Sequence, residues 1–227
     1  MPSFNLCIGM TGFPSFNVFS SSSELGLGGA GFLLPSPNST KLNTSVADSN
    51  RSFVASIINY KSGISSQSIG LCSPFVYGTG TISIRHISYG TFDGYDELSE
   101  YTGKYHSADT WFNIGYSNKI KLFPMRFGLT AQYFLSSLEN YTINALAISF
   151  GSMISFKRID SNFGVSVHNI GTTLNINNYS ECLIEPKIVF SGAKTLAYLP
   201  LTIYMDTIIE RISKNQDLFI GGIFNFK

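Results

Sequence analysis

Segments in which every second residue is apolar recur along this chain, and the residues between them are mostly small or uncharged. In 126–134, Phe127, Leu129, Ala131 and Tyr133 alternate with Arg126, Gly128, Thr130 and Gln132. In 162–168, Phe163, Val165 and Val167 alternate with Asn162, Gly164, Ser166 and His168. The stretches 111–117, 145–151 and 217–226 repeat the pattern. A side-chain period of two sends the two sets to opposite faces of a strand, so the chain reads as sheet rather than helix. The second face is the restrictive one. A soluble sheet with one wet face usually carries Lys, Glu and Arg there. Gly, Ser, Thr, Asn and Gln suit instead the crowded inside of a narrow barrel, which leaves the apolar set pointing outward.

Charge content agrees with that reading. Charged residues make up 13% of the 227 residues, about half the ~25% usual for soluble domains. No run approaches the roughly 18 apolar residues of a membrane-spanning helix. A membrane barrel reconciles the two, because only alternate residues of its strands meet lipid. Aromatics reach 14%, with 19 Phe and 12 Tyr, and such residues favour strands and membrane boundaries. With 15 Lys and Arg against 14 Asp and Glu, there is no basic stripe for nucleic acid. The first basic residue is Lys41, whereas an export signal opens on a basic region. An exported chain would therefore have lost its signal.

Turn chemistry at Lys61-Ser62-Gly63, Tyr77-Gly78, Arg158 to Asn162 and Lys214-Asn215-Gln216 separates the segments. Strands are expected over 24–33, 51–60, 66–75, 79–90, 107–117, 124–136, 141–157, 161–172, 186–195, 200–211 and 216–226, and residues 3–19 have room for a twelfth. The expected fold is all-β, an antiparallel transmembrane β-barrel of about 12 strands, with 1–22 an N-terminal segment and 23–227 the barrel domain. Two long polar loops, 91–106 and 173–185, have four strands between them, so both fall at one end. That end is extracellular if the last strand finishes in the periplasm, and 34–50 then falls at the periplasmic end.

Tyr89-Gly90-Thr91-Phe92-Asp93-Gly94-Tyr95-Asp96-Glu97 and Thr102-Gly103-Lys104-Tyr105-His106-Ser107-Ala108-Asp109 lead into a strand ending Gly115-Tyr116-Ser117-Asn118-Lys119. These runs resemble the PorV/PorQ family of outer-membrane barrels, which are related to FadL and in many members associated with type IX secretion. Leu25-Gly26-Leu27-Gly28-Gly29-Ala30-Gly31 resembles the family's early glycine-rich strand, and Val167-His168-Asn169-Ile170-Gly171-Thr172 its later Asn-Leu-Gly strand. Asn59-Tyr60 with Gly63-Ile64-Ser65-Ser66 and Glu185-Pro186 follow the family's order, and the likeness spans about residues 23–226. The Asn-Pro-Ala that follows the family's first strand is absent, Asn43-Thr44-Ser45 standing nearest. The chain is also shorter than a fourteen-stranded member. The resemblance implies a bacterial outer-membrane protein. The closing Gly221-Gly222-Ile223-Phe224-Asn225-Phe226 fits the final strand that barrel-insertion machinery reads.

The residues give little support for catalysis. Asp93, Asp96, Glu97 and Glu100 cluster in a polar loop and read as solvated. His86, His106 and His168 lack ligands at metal spacing, and His168, on the small polar face, reads as a hydrogen-bonded interior residue. Cys7, Cys72 and Cys182 are isolated and form no ligand pattern. Trp111 reads as packing or as part of an interfacial girdle. There is no nucleophile elbow, phosphate loop or dinucleotide fingerprint. The expectation is a non-enzymatic protein with no metal, nucleotide or covalent cofactor. Outer-membrane lipid surrounds it, and secretion-system or cell-surface proteins are its partners. Tyr95, Asp96, Glu97, Tyr101 and Tyr105 are the candidate partner-binding loop. The rival expectations are a FadL-like channel for small hydrophobic molecules and a soluble β-sandwich subunit of a surface layer or filament.

Overall fold

A computed structural model describes residues 21–38, 41–47, 50–120, 123–138, 141–174 and 184–225. The fold is all-β. The strands are β1 (Ser52–Asn59), β2 (Ser65–Phe75), β3 (Gly78–Tyr95), β4 (Tyr101–Lys119), β5 (Met125–Leu138), β6 (Tyr141–Phe156), β7 (Ser161–Thr173), β8 (Lys187–Thr195), β9 (Leu201–Glu210) and β10 (Gln216–Phe224). They form one antiparallel sheet in which each strand pairs with the next. Ten of the eleven expected strands match observed ones within a few residues, apart from the longer reach of β3 and β4. Ten strands stand among the described residues against about twelve expected, and the space for another within 3–19 lies outside those residues.

The eleventh expected strand, 24–33, is not a strand. Ser22–Gly26 is a short helix, α1, whose Ser21 side chain accepts from the Glu24 N–H. Gly28, Gly29 and Gly31 then take positive φ, which breaks any extended run. The described residues of segment 34–50, expected at the periplasmic end, turn into the interior, where Asn38, Asn43, Thr44, Ser45, Val46 and Ala47 are buried. Asn43 Nδ2 donates to the Ser152 carbonyl on β6, and the Thr44 and Thr130 hydroxyls hydrogen-bond.

The contacts of segment 21–47 show that the sheet is rolled. Ser22 N–H donates to Ser56 Oγ on β1 at 3.1 Å. A Cβ on Gly221 of β10 would stand 2.7 Å from the Leu27 carbonyl oxygen. Ser22 and Leu27 are about 8 Å apart along a helix at 1.5 Å per residue. In a flat sheet β1 and β10 would lie roughly 43 Å apart, nine steps of about 4.8 Å. The two edges must therefore curl towards each other, with the segment inside. No ladder joins β1 to β10 among the described residues.

Burial along the strands is inverted relative to a soluble protein. Thr130 is 0% exposed while its neighbour Leu129 is 52% exposed, and Ser117 is 1% exposed while Ile114 is 64%. Leu129, Phe163, Val165, Leu218 and Phe224 are exposed and Phe127 is half-buried, whereas Gly128, Gly164 and Ser166 are buried. Gly221 faces the interior segment. The sequence alternation thus sorts to the faces it predicted. No described helix is long and apolar enough to cross a membrane.

Candidate functional site

Two features carry functional interest, an arm at one end and the packed interior. The arm comes from the unequal lengths of β3 and β4. The β2–β3 ladder stops at Ser65 and Ser88, and the β4–β5 ladder stops at Ser107 and Leu138. From Thr91 and His106 outward, the two strands pair only with each other, so the hairpin projects roughly 17 Å past the sheet at about 3.4 Å per residue. The expected loop 91–106 is therefore mostly strand. Register shifts at Ser88–Gly90 and Gly94–Tyr95 bend it, as bulges do.

All five residues predicted for partner binding lie on this arm. Tyr95 ends β3, Tyr101 and Tyr105 belong to β4, and only Asp96 and Glu97 occupy the turn. Tyr95 and Tyr101 meet edge to face at 5.9 Å between ring centroids. Tyr105 stacks on Phe92 at 5.5 Å. Asp96 Oδ1 accepts from the Leu98 and Glu100 N–H groups at 2.9 and 2.7 Å, which fixes the turn. Tyr95, Leu98 and Tyr101 are largely exposed. The result is an aromatic, acidic-tipped hairpin. Four strands separate it from the β7–β8 connection, so the arm and that connection emerge at the same end, as the strand count predicted. Residues 175–183 of the second loop lie outside the described residues.

Sequence reasoning did not anticipate how the interior is filled. An apolar cluster of Ile87, Trp111, Phe134, Ala145, Ala147 and Ile184 lies towards the arm end. Trp111 packs on Phe134 at 4.8 Å and carries the Arg85 guanidinium over its ring at 3.9 Å. A second cluster joins Leu27, Ala30, Leu33 and Val46 of the segment to Met153, Ala193 and Tyr204. Buried charges are matched. Lys41 Nζ meets Glu24 Oε2 at 2.8 Å and Lys187 Nζ meets Glu210 Oε1 at 3.4 Å. Asp206 Oδ2 accepts from the Gly31 and Phe32 N–H groups at 2.6 and 3.3 Å. Matching of this kind is what a low-dielectric interior requires of ions.

His168 is buried, with Nε2 2.7 Å from Ser166 Oγ and its ring edge-on to Phe32, as its place on the polar face predicted. Trp111 is packing. Cys72 is buried and not in a disulfide, and Cys7 and Cys182 lie outside the described residues. His86 and His106 hydrogen-bond to Thr110 and Thr91 across the β3–β4 ladder. A largely enclosed cavity of about 60 Å³ lies against Phe32, Lys41, Arg85, Trp111, Gln132 and His168. It has room for roughly two waters at about 30 Å³ each, far below the 300 Å³ or more of a typical ligand pocket.

Among the described residues, every backbone–backbone hydrogen bond of segment 21–47 is internal to it. Side chains hold it in place. The sheet makes space for it at Gly128, where a Cβ would strike Thr44 and Ser45, and at Gly151, where it would strike Asn43. Arg126 Nη2 donates to the Ala47 carbonyl at 2.8 Å, closing its far end. The segment is docked in the sheet without being woven into it. No family model and no curated protein matches the sequence.

Proposed function

We propose that the chain is a bacterial outer-membrane β-barrel of the PorV/PorQ kind, acting without catalysis as a component of protein secretion or surface attachment. The inverted burial carries the membrane half of this reading. Side chains such as Ile114, Leu129, Phe163 and Ile220 stand exposed around a rolled sheet whose inner face is mostly polar. Apolar area on that scale marks a surface meant for lipid or partners. The same arrangement argues against a soluble sandwich, which needs two facing sheets over a shared apolar core. Carbonate extraction and heat-dependent gel migration are the test. The chain should stay with the membrane and migrate faster before boiling, and release into the aqueous phase without detergent would refute the reading.

The secretion half rests on the resemblance in residues 89–119 and on the projecting arm those residues build. A paired hairpin with exposed Tyr95, Leu98 and Tyr101 can hold a protein partner, since aromatic anchors dominate such contacts. The packed interior supports attachment over free passage. The FadL-like channel remains the second reading, because among the described residues no backbone–backbone hydrogen bond ties segment 21–47 to the sheet. Uptake of a small hydrophobic molecule into vesicles bearing the full chain would favour it.

A further inference from the structure

Near the end of the sheet opposite the arm, two neighbouring rows on the outer face of β1–β4 differ in bulk. One row pairs Phe53 with Leu71, Leu71 with Ile82 and Ile82 with Ile114 across the strands, and all four side chains are more than half exposed. Two residues nearer the rim, the next row pairs Ser73 with Gly80 and Gly80 with Tyr116. Successive residues of a strand alternate faces, so this row shares the outer face. Ser73 and Gly80 leave it almost bare. The step between the rows makes a depression of about 720 Å³. Phe75 closes it towards the rim, its ring lying so near Gly80 that a Cβ there would stand 2.5 Å away.

The depression is not apolar throughout. Arg51, exposed just before β1, and Tyr116 both line it. The Tyr116 hydroxyl reaches towards the rim, since a Cβ on Gly78, the first residue of β3, would stand 2.7 Å from Oη. Apolar walls thus run into a cation and a hydroxyl donor on the rimward side. The turns at this end repeat the combination. Val76 with Tyr77, Phe123, Ile159, and Tyr198 with Leu199 are exposed on four successive turns, and Lys119, Lys157 and Lys194 are exposed beside the last three. Aromatic rings and long cationic side chains gather where a bilayer meets water, so on the membrane reading this rim lies at headgroup level.

An amphiphile fits such a site better than a wholly apolar molecule, which would leave Arg51 and the Tyr116 hydroxyl unused. The walls accept the acyl chain of any lipid, so selection falls to the headgroup. An arginine holds phosphate through charge-assisted, often bidentate hydrogen bonds. A zwitterionic headgroup brings its own cation to Arg51 and gains less there than an acidic one. We infer that the outer face of β1–β4 holds one phospholipid with an acidic headgroup, its acyl chain against Phe53, Leu71, Ile82 and Phe75 and its phosphate against Arg51 and the Tyr116 hydroxyl. The inference rests on the membrane reading above and deepens it, giving one class of lipid a built seat on the sheet.

The full chain, in non-ionic detergent, is offered equal amounts of phosphatidylglycerol and phosphatidylcholine with identical acyl chains, and the lipid it retains is read by native mass spectrometry. One phosphatidylglycerol should be retained about fivefold more often than phosphatidylcholine, the size expected of one arginine at an anionic headgroup. R51Q should lose the preference while keeping weak retention of both lipids. G80L, whose side chain takes the space of the acyl chain, should lower retention of both. K194Q, on the same rim, and G192L, on the outer face of β8 opposite Phe163 and Met205, should behave as the unaltered chain does. If G80L fails to fold, the unaltered chain is photolabelled with phosphatidylglycerol carrying a diazirine in its acyl chain, and the label should concentrate on β1–β4 over β6–β9. Release of the unaltered chain into the aqueous phase on carbonate extraction would refute the membrane reading and the site with it. In a chain that stays with the membrane, equal capture of both lipids, a preference that survives R51Q or falls equally in K194Q, label spread evenly around the sheet, or a lipid-free dimer that masks this face would overturn the site alone.

Discussion

At the scale of single residues, the chain is decided by pairs of neighbours that face opposite solvents. Leu129 and Thr130 are adjacent in β5, yet the leucine is exposed and the threonine sits inside against Thr44. On the membrane reading, Leu129→Arg places a cation in hydrocarbon and should cost about 2–4 kcal/mol if the site lies at the bilayer midplane. Urea unfolding in phospholipid vesicles measures it. A cost below about 0.5 kcal/mol, ordinary for an exposed surface change, would count against lipid contact there. Gly151→Val makes the opposite test on the inner face. Its added atoms would collide with Asn43, and overpacking of that kind costs about 1–3 kcal/mol. The loss should vanish in a chain lacking 21–47, since the only strain invoked is against that segment.

At the scale of elements, the arm is the piece whose role can be removed without dismantling the sheet. Residues 95–103 lie beyond the last rungs that β3 and β4 share with β2 and β5. Their deletion should leave the heat-dependent gel shift intact and abolish capture of the partner in a pull-down. Capture that continues unchanged would end the arm's assigned role. The strands were legible because period-two alternation is a local signal, which β5 follows from Phe127 to Tyr133 and β7 from Phe163 to Val167. Segment 24–33 misled because Leu25, Leu27 and Phe32 with intervening glycines imitate alternation. The spacing of Ser21 and Glu24, a helix-capping signal, was the better guide. Regular pairing in the arm went unread because its Gly, Asp and Thr content reads as loop. The pairing of Glu24 with Lys41 inside, and of Lys119 beside Arg126 at the rim, depends on docking and register that no local pattern encodes.

At the scale of the whole molecule, the question is whether the sheet or the segment within it closes the path from end to end. Nine ladders hold the strands, while the described residues of segment 21–47 reach both sheet edges through Ser22 and Leu27 and contribute no rung. Removing it should therefore leave a weakened but rolled sheet whose polar inner face fills with water. Asp206 would lose the two N–H groups it now accepts from and would face that water. In planar bilayers, the chain without 21–47 should show ion conductance, and the intact chain should be silent. A reversible version keeps the segment present. Thr44 and Thr130 touch, so T44C/T130C, made with the native cysteines changed to serine, should tie the segment to β5 when oxidised. The oxidised form should be silent. If the segment leaves its seat spontaneously, reduction should restore brief openings, which would favour the channel reading. Silence in both redox states together with conductance on deletion would mark a permanent filler, in keeping with attachment. Conductance in the oxidised form would show that the path runs elsewhere and that the segment does not close it.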